Sequence, residues 1–144
     1  MRTRESWKIF CVSTEPYYNL PWQMNPQSGH TSSGFVIPGN RILCNAHGVA
    51  FQVSVRVRKH GGTRRFKARV LHVGHECDLA VLTVDAKEFW EGLVPLKFGG
   101  VPRLRDVVNV VGYPTGGDTI SITQGIVSRV GVSKYSHSGD KLLA

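Results

Sequence analysis

The stretch "QVSVRVRKHGGTRRFKARVLHV", Gln52 to Val73, decides the fold. Val53, Val55 and Val57 alternate with Ser54, Arg56 and Arg58, the period-two pattern of a half-buried strand. "KHGGT" supplies a glycine turn, and the alternation resumes with Phe66, Ala68 and Val70 against Lys67, Arg69 and Leu71. Two such runs around a turn form a hairpin with one apolar and one basic face.

Outward from this hairpin the chain reads as strand after strand. "GFVI", the turn "PGN" and "RILCN" make a second hairpin. "DLAVLTV", Asp78 to Val84, is a near-continuous apolar run of strand length, read as buried on both sides. "DAKEFWEGLVPLKFG" is a connection with room for one helical turn. "DVVNVVGYP" and "TISITQGIVSRVGV" give two further strands joined by "PTGGD", and "YSHSGD" reads as a polar loop. "WKIFCVS" near the start has strand character, and "EPYYNLPWQMNPQSGH" reads as a loop packed on the body. No long amphipathic helix is visible, so the pattern predicts an all-β barrel or sandwich.

The chain has 144 residues, enough for one domain with a sizeable core, and 41% hydrophobic residues, which excludes a disordered segment. No apolar run approaches the length of a membrane span. The opening "MRTRESWKIFCVST" lacks the long apolar segment of a secretory signal, and it reads as the interior of a folded region rather than a natural start. Cys11, Cys44 and Cys77 are odd in number and irregularly spaced, which points to reduced, buried thiols rather than a disulfide framework. The net charge of +8 concentrates between Arg56 and Arg69. A stripe of Arg56, Arg58, Lys67 and Arg69 could draw nucleic acid. The absence of interleaved aromatics for base stacking and of any nucleic-acid motif argues against that partner. The solvated face of a hairpin accounts for the cluster.

"LCNAHGV", Leu43 to Val49, sets a histidine between an apolar run and a glycine. His47 is open to three readings. A metal ligand would draw on Cys44 or on "HVGHEC", but His72 and His75 differ by an odd number on a strand and point to opposite faces, and no C-x-x-C is present. A packed core or surface histidine is the ordinary alternative. A general base needs a carboxylate on its second ring nitrogen, and Asp78, at a turn–strand junction before the buried run, is the candidate.

The ordered set "SGFVI…RILCNAHGV", "HECDLAVL" and "VVGYPTGGDTISITQGIVSRV" resembles the trypsin-like protease domain of the HtrA/DegP family, closest to the plant-type Deg proteases. The resemblance runs from about Trp7 to the end. It implies a trypsin-like double β-barrel, with the N-terminal barrel complete and the C-terminal barrel partly present. On it, residues 1–30 are an N-terminal lead-in, 31–100 the first barrel and 101–144 the start of the second, with strands near Val107–Gly112 and Thr119–Val130. It implies that His47 is the general base and that Asp78 orients it. Two departures stand out: Ser32-Ser33-Gly34 replaces the usual Gly-Ser-Gly, and Gly48 follows the histidine where Val or Cys is usual.

Ser121, Ser128, Ser133, Ser136 and Ser138 follow Asp78, and none lies in the Gly-Asn-Ser-Gly-Gly setting of the family's nucleophile. The resemblance places that serine about ten residues past Ala144, in the order His, Asp, Ser. The expectation is a serine endopeptidase segment with base and acid but no nucleophile, inactive alone, needing no metal or other cofactor. Exposed strand edges and an apolar face of a partial barrel are expected to favour aggregation. The resemblance further implies unfolded or damaged proteins as substrates, a homotrimer through the N-terminal segment, where Tyr17, Tyr18 and Trp22 either suit the interface or pack on the barrel, and a chloroplast, mitochondrial or nuclear location. The loop from Tyr113 to Gly117 reads as structural. The alternative is a non-catalytic protease-like module that binds unfolded protein or an intact relative.

Overall fold

The computed structural model describes residues 6–13, 24, 26, 28–114 and 119–143. Tyr17, Tyr18 and Trp22, the expected interface aromatics, lie outside the described residues, as do residues 115–117 of the Tyr113–Gly117 loop.

Six strands close into a barrel: β1 (Ser6–Ser13), β2 (Ser28–Ile37), β3 (Arg41–Asn45), β4 (Gln52–Lys59), β5 (Arg65–Gly74) and β6 (Leu79–Thr83), in the spatial order β1-β2-β3-β6-β5-β4. All neighbours are antiparallel. The β2–β3 hairpin turns at Gly39 and Asn40, both at positive φ, which glycine and asparagine tolerate best. The barrel boundary at residue 31 is too late. β1 pairs with both β2 and β4, so the ring is shut by a strand from the segment read as a lead-in. Its alternation, Ile9 and Cys11 inward, matches the barrel interior.

The core is built from alternate residues of all six strands, among them Ile9, Val36, Ile42, Val57 and Leu82, each almost completely buried. Gly34 is required there, since a Cβ would stand 2.7 Å from Ile9 Cδ1 and 3.0 Å from the Leu43 carbonyl oxygen. The short helix α1 (Lys87–Trp90) stops one end of the barrel. Phe89 is fully buried, edge-on to Phe66 and Trp90, and the Trp90 indole N–H donates to the Val84 carbonyl at 2.8 Å. Complete burial of a phenylalanine is worth roughly 1.5–3 kcal/mol.

Three readings of burial are corrected. β6 is not buried on both sides: Ala80 and Leu82 face the core while Leu79 is exposed, because a barrel strand has only one inner face. Val53 alternates in sequence but is exposed at the start of β4. Cys11 and Cys44 are buried, and burial pushes the Cys44 thiol up to about 12, but Cys77 is exposed.

Beyond the barrel, β7 (Val107–Gly112) and β8 (Ser121–Ile126) form one antiparallel ladder, and β9 (Val132–Lys134) and β10 (Lys141–Leu143) another. The reading that carried a strand to Val130 overshoots. β8 ends at Ile126, and the loop read at "YSHSGD" is the tip of the β9–β10 hairpin. Ser33 joins the two parts: its Oγ accepts the Tyr113 backbone N–H at 2.7 Å and lies 3.4 Å from the Tyr113 carbonyl. Tyr113 is buried, and its hydroxyl lies 3.0 Å from His60 Nδ1. No helix among the described residues is long and apolar enough to cross a membrane.

Candidate active site

β3 and β6 are neighbours, with Asn45 opposite Leu79. The residues just past the end of β3 and just before the start of β6 therefore meet. His47 follows β3 by two residues and Asp78 precedes β6 by one, so the ladder register itself brings the two together. The backbone of Asp78 stands at φ 52, a left-handed conformation that aspartate adopts more readily than most residues. That turn lets both carboxylate oxygens face the loop after β3.

His47 Nδ1 lies 2.6 Å from Asp78 Oδ2, and the His47 backbone N–H donates to Oδ1 at 2.8 Å. The Ala46 N–H donates to the Asp78 carbonyl at 3.0 Å, and the Asn45 amide reaches Oδ2 at 3.3 Å. Tyr135, on the β9–β10 hairpin, donates its hydroxyl to Oδ2 at 2.7 Å. Asp78 is only 3% exposed, while His47 is 46% exposed. Burial alone would push the Asp78 carboxyl up. The His47 backbone N–H, the Tyr135 hydroxyl and the His47 ring outweigh that and hold it at about 2. Asp78 in turn raises the Tyr135 phenol, through their hydrogen bond first. An ionised carboxylate accepts only, so the proton between the partners sits on His47 Nδ1, and Nε2 carries the lone pair. This is the tautomer a general base needs.

The 137th residue adds a second imidazole. The His137 ring stacks on that of His47, 4.0 Å between centroids and 7° from parallel, and is tilted against Tyr135 at 5.5 Å. Sequence reading found His47 and Asp78 but neither Tyr135 nor His137. Those two sit on a hairpin of three-residue strands, too short to show periodicity, and only the fold returns them to the barrel rim. Among the described residues, the ligating atoms that gather are those of His47, Asp78 and His137, within 4.8 Å of one another. His72 and His75 do not join a cluster with Cys44, whose thiol is buried in the core.

The five serines do not meet the base. Ser138 lines the cleft beside His47, but its Oγ accepts the Asp140 backbone N–H at 3.2 Å within the hairpin turn. Ser121 and Ser133 lie in strands, and no serine hydroxyl among the described residues is hydrogen-bonded to His47.

Residues 32–142 match the family model of the trypsin-like peptidase domain. The chain belongs to that family. This trypsin-like domain is 60% identical over 137 residues to the putative protease Do-like 3, mitochondrial, of Arabidopsis thaliana, covering 95% of the chain and 24% of that relative. It is 51% identical to protease Do-like 4, mitochondrial, of the same plant, covering 95% of the chain and 26% of that protein. A serine protease DegP homolog of Plasmodium falciparum is 42% identical over 136 residues, 94% of the chain and 16% of that protein. The domain thus spans about a quarter or less of these relatives' length. Among solved structures, the active form of the Rv3671c protease from M. tuberculosis superposes with a TM-score of 0.74 at 23% identity, over 98% of the chain and 56% of that one. An HtrA-type protease with tripeptide gives 0.74 at 22% identity, over 98% and 42%. These two likenesses bear on the fold, and they agree with the expected trypsin-like architecture.

The basic hairpin differs from its sequence reading in one respect. Pairing of β1 with β4 sets Phe10 opposite Arg56, so the wet face does carry an aromatic. Its ring is already flanked by cations of the same chain, Arg65 at 4.0 Å and Arg58 at 5.4 Å from its centroid. Arg69 is paired with Asp85 at 3.1 Å.

Proposed function

We propose that this domain supplies the general base and orienting acid of a serine endopeptidase of the HtrA/DegP type, acting on unfolded or damaged protein. The observation that carries the reading is the 2.6 Å contact between His47 Nδ1 and Asp78 Oδ2, with Oδ1 fixed by the His47 backbone N–H. In such a dyad His47 Nε2 takes the proton of an attacking alcohol, and Asp78 stabilises the imidazolium without being protonated itself. An oxyanion hole also needs a glycine-framed serine, whose backbone N–H groups face the developing charge. None of the described serines has that setting, so the 144 residues alone are expected not to cleave peptides. The names of the relatives support a mitochondrial or chloroplast setting, and the nuclear alternative draws no support from them.

The test is degradation of an unfolded substrate such as reduced casein by the natural product that contains this segment. His47→Ala should abolish it, and Asp78→Asn should lower kcat by roughly four orders of magnitude, the cost of the wrong histidine tautomer. Activity unchanged by both variants would sink the reading. Activity of the 144 residues by themselves, dependent on His47, would refute the inactive part.

A second reading rests on a separate observation. The β7–β8 ladder leaves Val107, Val110, Ile122 and Ile126 largely exposed, a surface suited to binding apolar segments of unfolded chains or of an intact relative. Under this reading the domain binds without cleaving. Capture of an unfolded polypeptide that survives His47→Ala and is lost on placing lysines at Val110 and Ile126 distinguishes it. Assembly as a trimer through the N-terminal segment is part of the proposal and is read out by sedimentation.

A further inference from the structure

We propose that the cleft beside His47 is a binding site for a divalent transition metal, Zn²⁺ in the first instance, with His47 and His137 as its imidazole ligands. The inference stands on the geometry of the cleft and does not require the peptidase reading.

The cleft has a volume of about 370 Å³ and is lined by three imidazoles and three carboxyl groups: His47, His75 and His137, with Glu76, Asp78 and Asp140. The chain as a whole carries +8 and only ten acidic residues. Three of those ten converge here, so the local field opposes the net charge and favours a cation. Imidazole and carboxylate together are the donor set of zinc.

The six groups do not play equal parts. Asp78 Oδ2 already takes the His47 ring N–H, the Tyr135 hydroxyl and the Asn45 amide. It has no lone pair to spare and acts as support. A histidine that ligates zinc characteristically donates its other ring N–H to a carboxylate, which fixes the tautomer and makes the free nitrogen more basic. His47 has that arrangement, with Nε2 as the free nitrogen.

The second imidazole is at hand. The two rings are stacked nearly parallel, so their in-plane lone pairs do not yet converge. His137 is exposed on the hairpin turn and accepts or donates no hydrogen bond among those described, so rotation of its ring about χ2 disturbs only its ring contacts with His47 and Tyr135. Asp140, three residues on, and Glu76 with His75 across the cleft can complete a tetrahedral shell. An ion held this way occupies the lone pair that a general base uses, so binding and base function exclude each other.

The test is a titration of the 144-residue chain with Zn²⁺, followed by calorimetry and by the histidine ring resonances. One equivalent is expected to bind with roughly micromolar affinity, shifting the His47 and His137 signals together, and EDTA should reverse it. His137→Ala and His47→Gln should each weaken binding by at least about tenfold, and Asp78→Asn by about 10–100-fold through its supporting position. Cys77→Ser should leave affinity unchanged. The exposed position of His137 makes its variant a safe one for folding, checked by the unchanged chemical shifts of the barrel core. No binding at millimolar Zn²⁺ would overturn the proposal, as would affinity that survives His137→Ala or is lost in Cys77→Ser.

Discussion

At Gly48 and Ser32 two departures from the family's usual residues share one space. A Cβ on Gly48 would stand 2.7 Å from Ser32 Oγ and 2.9 Å from its Cβ, so the larger residue on β2 is matched by the smaller one beside the base. The Ser32 hydroxyl is also buried without a hydrogen-bond partner. Gly48→Ala should therefore cost about 1–3 kcal/mol, the range for overpacking a core. Combined with Ser32→Gly the cost should largely vanish. Denaturant melts of the two single variants and the double one give the coupling energy directly. Asp78 provides a second prediction. Its carboxyl is held at about 2 against an ordinary 3.8. A carboxyl depressed on folding contributes stability that is fully present above its unfolded value and is lost as pH falls through the folded one. The loss should fall between about pH 4 and pH 2 and amount to about 2 kcal/mol. Chemical denaturation across that range should show the extra acid sensitivity in the parent chain and not in Asp78→Asn. His47 and Asp78 were legible in the sequence because each flanks an apolar run, and strand ends are where a barrel presents polar groups. The support from Tyr135 was not, because nothing local to "KYSHSGD" announces a partner 57 residues away.

The elements were legible in proportion to their alternation. β4 and β5 show it over most of their length and were readable as a hairpin, while the register that pairs Val55 with Ala68 comes from the structure. β1 alternates as well, yet its place was not readable. Its partners on β4 lie about forty to fifty residues away, and a strand's pattern says which face is buried but not which strand lies beside it. β9 and β10 are three residues each and carry no usable period. The helix α1 was readable only as a possible turn, since four residues cannot show a 3.6-residue stripe, but its packing is decisive. Phe89 fills the space between Phe66 and Trp90 with no exposure to solvent. Phe89→Ala should destabilise the barrel by about 3–5 kcal/mol. Thermal melts would register it, and a loss below about 1 kcal/mol would mean that the helix only rests on the barrel instead of stopping it.

Across the whole molecule, burial is uneven. The barrel has one closed core, whereas the β7–β8 ladder is open on both faces, with Val107 opposite Ile126 on one and Val110 on the other. An apolar ladder of this kind promotes association. The 144-residue chain should self-associate with rising concentration, and the pair Val110→Lys with Ile126→Lys should suppress this while leaving the barrel's melting behaviour in place. Analytical ultracentrifugation against a thermal melt separates the two effects. The order of strands in the ring has a consequence for synthesis. β1 leaves the ribosome first, but its neighbours are β2 and β4, and the β3–β6 and β5–β6 ladders need residues up to Thr83. The first strand made must wait for the last before the ring shuts, so closure pays its loop entropy late and the chain belongs among the slower, topology-limited folders. During that wait β3 and β5 each keep one edge unpaired, since β6 is the neighbour of both, and open edges of this kind make a nascent chain prone to aggregation.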